Sequence, residues 1–170
     1  MSSRIGPLLI SAALVSCAPA VFSGHEYNDG RVHFDLPRLP SSYERIDVST
    51  ATIAFRDRND RASVLINVRC ETRDEDTPLS ALTNHLLMGT TERDFRTQAV
   101  EPWSGREAQH SLVVAKLDGV RMLYDMFVAK KDGCVYDFVY VASPEAPEAG
   151  QKQFEDLFRA VRVLPGAGHR

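Results

Sequence analysis

Residues Gly105 to Ser143 read GREAQHSLVVAKLDGVRMLYDMFVAKKDGCVYDFVYVAS, and the fold turns on how this stretch is divided. Two short breaks interrupt it, LDG ending at Gly119 and KKDG ending at Gly133. Each contains Asp-Gly, a pair that tolerates the positive φ angles of a two-residue hairpin turn. The breaks divide the stretch into three segments rich in β-branched and aromatic residues, which predicts an antiparallel meander. In its last strand Cys134, Tyr136, Phe138 and Tyr140 fall on one face, and Val135, Asp137, Val139 and Val141 on the other. The aromatic stripe is expected in a core, with a binding surface as the alternative. Asp137 interrupts the apolar face, so either solvent reaches it or its carboxylate is paired, with Arg121 or Arg106 on a neighbouring strand as the expected partner.

Outward from the meander, the closing segment carries Phe154, Leu157, Phe158 and Val161 at i, i+3, i+4 and i+7, a narrow apolar stripe suited to packing on a sheet. Its polar side mixes Lys152, Glu155, Asp156 and Arg159, unlike the basic face of a membrane-surface helix. Upstream, Asp76 or Thr77 is placed to cap a helix from Pro78 to about Met88, with Leu79, Leu82, Leu86 and Leu87 on one side and Gly89 as its stop. Earlier still, STATIAFRD and RASVLINVRCE flank the turn residues Asp57 to Asp60 and read as a hairpin, in which Val64, Ile66, Val68 and Cys70 share the inward face. RVHFDLP opens the domain by alternating Val32, Phe34 and Leu36. The sum is an α+β fold, an antiparallel sheet sandwiched by a central helix and a C-terminal helix.

The beginning of the chain speaks about location. An apolar run from Ile5 to Val15 follows Arg4, the length and composition of a signal-peptide core. It is about half the roughly 20 residues a membrane span needs. The residues that end it, Leu14-Val15-Ser16-Cys17, resemble the lipobox of bacterial lipoproteins. That resemblance implies cleavage before Cys17 and attachment of lipid to its thiol; the alternative is an ordinary secretory signal with a chance cysteine. Two or three acyl chains anchor a protein stably where one does so only marginally. Ala18 is not the aspartate of the enterobacterial inner-membrane retention rule, so the resemblance implies the periplasmic face of the outer membrane. The expected organisation is a signal peptide over residues 1–16, a lipidated tether over 17–30, one domain over 31–164 and a tail over 165–170.

Composition sets further bounds. The 170 residues are 44% hydrophobic and 25% charged, ordinary globular values, with a formal net charge of −3 that loss of Arg4 makes one unit more negative. Such a surface offers no electrostatic case for nucleic acid or anionic lipid headgroups. With Cys17 assigned to lipid, Cys70 and Cys134 remain as an even pair in an exported chain, and a disulfide between them is expected, two buried free thiols being the alternative.

The order of the pieces VHFDLP, GREA, CVYDFVYVAS and FEDLFRAVRVL resembles the PsbP-like group. That group includes the photosystem extrinsic protein, the Ran-binding Mog protein and many exported bacterial lipoproteins. The resemblance covers most of residues 31–164 and departs from the group at RLPSSYERI, which lacks the familiar tryptophan after the opening proline. It implies a binding or assembly role and transfers no catalytic residue.

Direct signs of chemistry are few. The sequence has no G-x-S-x-G, H-E-x-x-H, phosphate-binding loop or dinucleotide glycine pattern. It also lacks a CxxC or Cys/His cluster that would suggest zinc or redox catalysis. His25 and His169 fall in expected tails and His33 begins a strand, leaving His85 and His110 as candidate site histidines. Glu71, Asp74, Glu75 and Asp76 crowd one loop, but without EF-hand spacing they read as solvated carboxylates favoured by a helix N-terminus. Trp103 is either a surface anchor for a partner or a lid on the core. The expectation is therefore a lipid-anchored binding or assembly module without cofactor, metal or catalysis, meeting a membrane through its lipid and a protein partner at the envelope. A carrier with an apolar cavity under the sheet and an enzyme of unrecognised type are the alternatives.

Overall fold

The computed structural model describes residues 21–70 and 76–165. Cys17 and the signal segment, the carboxylates Glu71, Asp74 and Glu75, and the tail with His169 lie outside those residues. In chain order the elements are β1 (Val21–Phe22), β2 (Glu26–Asn28), β3 (His33–Asp35), β4 (Tyr43–Ile46), β5 (Ile53–Asp57), β6 (Ala62–Arg69) and α1 (Leu79–Leu86). They continue as β7 (Thr90–Trp103), β8 (Arg106–Leu117), β9 (Val120–Lys131), β10 (Cys134–Ala142), α2 (Glu148–Ala160) and β11 (Arg162–Val163). Seven strands make the main sheet in the order β4-β5-β6-β10-β9-β8-β7, and a four-stranded sheet runs β1-β2-β3-β11. Every strand pair in both sheets is antiparallel.

The meander forms where the Asp-Gly breaks place it. Asp118 and Gly119 have φ of 50° and 82°, and Asp132 and Gly133 have 52° and 73°. Two successive positive φ values match the right-handed twist of paired strands, and Asp followed by Gly is the pair that adopts them most readily. The turns fix the register, with Leu117 opposite Val120 and Lys131 opposite Cys134. A one-residue slip would send every side chain to the opposite face.

The two faces of the main sheet are closed by different helices. On one, Tyr136, Phe138 and Tyr140 of β10 join Phe127 of β9, Val64 and Ile66 of β6 and the α2 residues Phe154, Leu157 and Phe158 in a single buried cluster. Phe127 stacks on Phe158 with ring centroids 3.9 Å apart, and Tyr140 stacks on Phe154 at 5.6 Å. Burying each such side chain contributes about 1.5–3 kcal/mol, so this layer is the main apolar source of stability. On the other face α1 sets Leu82 against Val128 and Val135, and Leu87, just past its end, packs with Val113, Tyr124 and Met126. The aromatic stripe is core, as its alternation implies.

Several expectations need correction. Within the tether expected over residues 17–30, Val21–Phe22 and Glu26–Asn28 are strands, and Tyr27 and Phe34 stack inside the core. Residues from Val21 onward, about ten positions ahead of Arg31, thus belong to the fold, because the hairpin closes against β3. Neither Asp76 nor Thr77 caps α1; Pro78 holds the cap position without a side-chain hydrogen bond. Trp103 is not a surface anchor. It is buried at the end of β7, stacks on Phe158 at 5.6 Å and donates its indole N–H to the Phe158 carbonyl at 3.0 Å. β7 has no strand signal in its sequence, since an edge strand that is solvated along most of its length carries little alternation. Its charges, its proline and the register shifts between Thr91 and Asp94 and between Phe95 and Thr97 are features that discourage pairing with another sheet.

Cys70 and Cys134 form a disulfide across a sequence separation of 64. It ties the chain just past β6 to the start of β10, where Arg69 already stands opposite Val135. Among the described residues no helix is long and apolar enough to cross a membrane.

Candidate functional site

The face of β7, β8 and β9 that α2 covers is apolar except at one place. His110 on β8 lies opposite Phe127, and Asp125 on β9 opposite Leu112, so the pleat makes His110 and Asp125 diagonal neighbours on the α2 side. On β7 Glu101 pairs with Ala108, which brings its carboxylate to the other edge of the same imidazole. The His110 Nε2 lies 2.7 Å from Asp125 Oδ1 and its Nδ1 3.2 Å from Glu101 Oε1. Its ring stacks on Phe127 at 4.1 Å and 10°, continuing into Phe158. One helix side completes the cluster with Gln151, Glu155 and Arg159 at four-residue spacing. The Arg159 Nη2 is 3.1 Å from Glu155 Oε2 and 3.4 Å from Glu101 Oε2, and Gln151 donates to Glu155 at 3.5 Å.

The electrostatics of this cluster follow from burial. His110 is 7% exposed and Asp125 fully buried. Burial acts to lower the His110 pKa, but the hydrogen bond and charge of Asp125, with Glu101 and Glu155, outweigh it and raise the value. Burial likewise pushes the Asp125 carboxyl upward, against the pull of His110. With both groups raised, the pair retains a shared proton between Nε2 and Oδ1. The second oxygen, Asp125 Oδ2, is buried without a close hydrogen bond, while the Gln151 amide donates weakly to the carboxyl and also holds its pKa down. His110 is one of the two candidate site histidines of the sequence, and its alternating position on β8 does not reveal that it is buried. Asp125, Glu101 and Glu155 were missed, since four elements had to be assembled before they met.

A second polar group sits near the start of α2. Asp57 is buried and accepts from the Asn59 N–H at 3.0 Å, while the hydroxyls of Tyr43 and Tyr140 are buried without partners. Burial and the charges of Asp60, Asp57 and Asp125 push Tyr140 up to about 12, and burial with Asp57 raises Tyr43 as well. The absence of a side chain at Gly150 is required here, because a Cβ would collide with the Asp60 carboxylate and meet the Tyr140 hydroxyl at 2.8 Å. Burial and the neighbouring Asp57 raise the Asp60 pKa. A carboxyl raised on folding stabilises most below its unfolded value near 3.9 and loses that contribution as pH climbs through the folded value. Asp60→Asn supplies Asp57 with an amide donor that the ionised carboxylate lacks and removes the repulsion. The melting temperature is expected to rise at pH 7 by about 1 °C, small because solvent screens this site, and the gain should vanish near pH 4. Calorimetry at the two pH values checks it; an unchanged or lower value at pH 7 would contradict the repulsion.

The remaining sequence candidates are dispersed. Asp137 is buried on the α1 face, and its partner is neither Arg121 nor Arg106 but Arg69 on β6, at 3.1 Å. The register explains this: β10 lies between β6 and β9, and Arg69 sits opposite Val135, one step from Asp137 on the diagonal. His33 pairs with Glu26 at 2.6 Å on the small sheet, near Asp35. His25 and His85 are exposed, and Asp76 is exposed ahead of α1.

No protein-family model matches the sequence, and no curated protein does so. Solved structures do match in fold. Cyanobacterial PsbP (CyanoP) from Synechocystis sp. PCC 6803 aligns over 89% of this chain and 99% of its own, with a TM-score of 0.57 at 14% identity. LpqN, involved in cell envelope biogenesis of Mycobacterium tuberculosis, aligns over 86% of this chain and 90% of its own, with a TM-score of 0.58 at 13% identity. At such identities the likeness concerns architecture alone, and in architecture this chain has the PsbP-like α+β fold.

Proposed function

We propose that the chain is an exported lipoprotein, anchored through Cys17 to the periplasmic face of the outer membrane, whose domain is a binding or assembly module without catalysis of its own. The observation that carries the binding reading is a filled interior beside an apolar surface patch. The aromatic face that a carrier would need hollow is occupied by Phe154, Leu157 and Phe158 of α2. Met88, Leu117 and Val120, in contrast, are 66%, 42% and 60% exposed. They gather at one end of the main sheet, since Thr90 pairs with Leu117 and Leu117 with Val120. Exposed apolar residues grouped in this way suit a protein partner. The His110 imidazole has both nitrogens engaged by carboxylates, which favours a positioned group over a free base. Anchoring is supported by the Leu14 to Cys17 pattern, export by the disulfide, and an envelope role by the likeness in fold to LpqN.

Two experiments test this reading. Intact mass of membrane-extracted protein is expected to show a chain starting at Cys17 with added acyl mass, gaining about two daltons on reduction, whereas Cys17→Ser leaves the membrane fraction. A soluble chain indifferent to Cys17→Ser would remove the anchor. A photo-crosslinking side chain at Val120 should trap a partner in cells and one at exposed Lys152 should not; equal trapping at both would remove the patch.

A further inference from the structure

We propose that His110, Asp125 and Glu155 form a binding site for one divalent transition-metal ion of the zinc class, with Glu101 orienting the histidine. One ligand atom from each of the three residues lies within 4.8 Å of the others. Tetrahedral ligands each about 2.1 Å from one ion stand about 3.4 Å apart, so the site forms if the widest separation closes by up to about 1.4 Å and the His110–Asp125 pair opens by about 0.7 Å. Glu155 on the half-buried side of α2 can supply the closure by a rotamer adjustment.

Three independent features point to a cation there. Asp125 Oδ2 is fully buried and makes no close hydrogen bond, the Gln151 amide helping only to hold the carboxyl's pKa down, so a strong acceptor in the cluster is under-satisfied. The second ring nitrogen of His110 is held by Glu101 at 3.2 Å, the carboxylate–histidine arrangement that orients metal-ligating imidazoles. Charge balance agrees as well. Asp125, Glu101 and Glu155 oppose the Arg159 guanidinium and the proton shared by His110 and Asp125, and once an ion displaces that proton two negative charges remain beside a neutral imidazole. A dication cancels them. In the exchange the proton bridging Nε2 and Oδ1 leaves to solvent, the pair opens so that the ion binds Nε2 and the Asp125 carboxylate, and nothing is oxidised or reduced. One nitrogen with two carboxylates selects a transition metal over calcium or magnesium, and water completes the coordination.

The test is titration of Zn²⁺ into the EDTA-treated, gel-filtered full chain carrying Cys17→Ser, so that a free thiol does not compete, followed by isothermal calorimetry. One equivalent is expected to bind. Asp125→Asn and Glu155→Gln should each weaken binding at least tenfold, Glu101→Gln by about 10–100-fold through the histidine, and Glu26→Gln on the other acidic group not at all. Circular dichroism confirms that the variants fold, and Glu155→Gln, at a half-exposed position, keeps the comparison valid if Asp125→Asn does not. Co²⁺ should give visible absorption bands in the wild type that Glu155→Gln loses. Absence of saturable binding, or binding that survives Asp125→Asn and Glu155→Gln, or binding lost with Glu26→Gln, would overturn the site.

Discussion

His110→Ala is expected to destabilise the metal-free domain by about 3–5 kcal/mol, because it leaves Asp125 as an uncompensated buried charge. The loss should exceed the transfer energy of the imidazole and its stacking on Phe127. A double replacement, His110→Leu with Asp125→Leu, separates the two contributions. Removing both charges together is expected to be nearly neutral or stabilising, as apolar replacements of buried ion pairs often are. Urea unfolding in EDTA measures both. A loss below 1 kcal/mol for the single variant would mean that water or Gln151 rescues the carboxylate. The pH dependence carries a definite sign. His110 is raised above its ordinary 6.5 by Asp125, Glu101 and Glu155 against the opposing effect of burial, so its contribution is complete below that value and fades as pH climbs through the folded one. The stability gap between wild type and His110→Ala should therefore narrow on the alkaline side.

Loss of the disulfide is the second large effect. Cys70→Ala with Cys134→Ala frees a loop closed across a separation of 64, and the chain-entropy model gives about 4 kcal/mol for a loop of that length. For a chain of this size that corresponds to a fall in melting temperature of about 10 °C, and reducing agent should reproduce it on the wild type. The bridge lies where β6 meets β10 at the centre of the main sheet, and the Arg31 guanidinium donates to the Cys70 carbonyl at 3.0 Å. Its removal should leave the strand pairs intact and act on the unfolded chain. Hence the refolding rate should fall more than the unfolding rate rises, if β6 and β10 pair early. A shift below 2 °C would show that other contacts already confine that loop in the unfolded state.

Much of the architecture was legible in local residue patterns. The Asp-Gly pairs at Asp118 and Asp132 specify hairpins through φ angles that depend only on the turn residues. The Phe154 to Val161 stripe specifies a sheet-facing helix, and the alternation through Cys70 and through Cys134 points both thiols to one interior. Each of these is a property of neighbours in the chain, and backbone geometry alone expresses it. What tertiary structure decided is of another kind. β7 exists because β8 offers it an edge, and β11 because Arg162 comes to lie opposite Asp35, which closes the end of the chain onto its beginning. Arg69 rather than Arg121 or Arg106 meets Asp137 because β6, far away in sequence, inserts beside β10. The His110 cluster depends on the register of three strands and on the rotation of α2 above them. Period and turn chemistry orient a side chain to a face, but which groups meet on that face is set by long-range packing, whose energy is distributed over many weak contacts that no short stretch encodes.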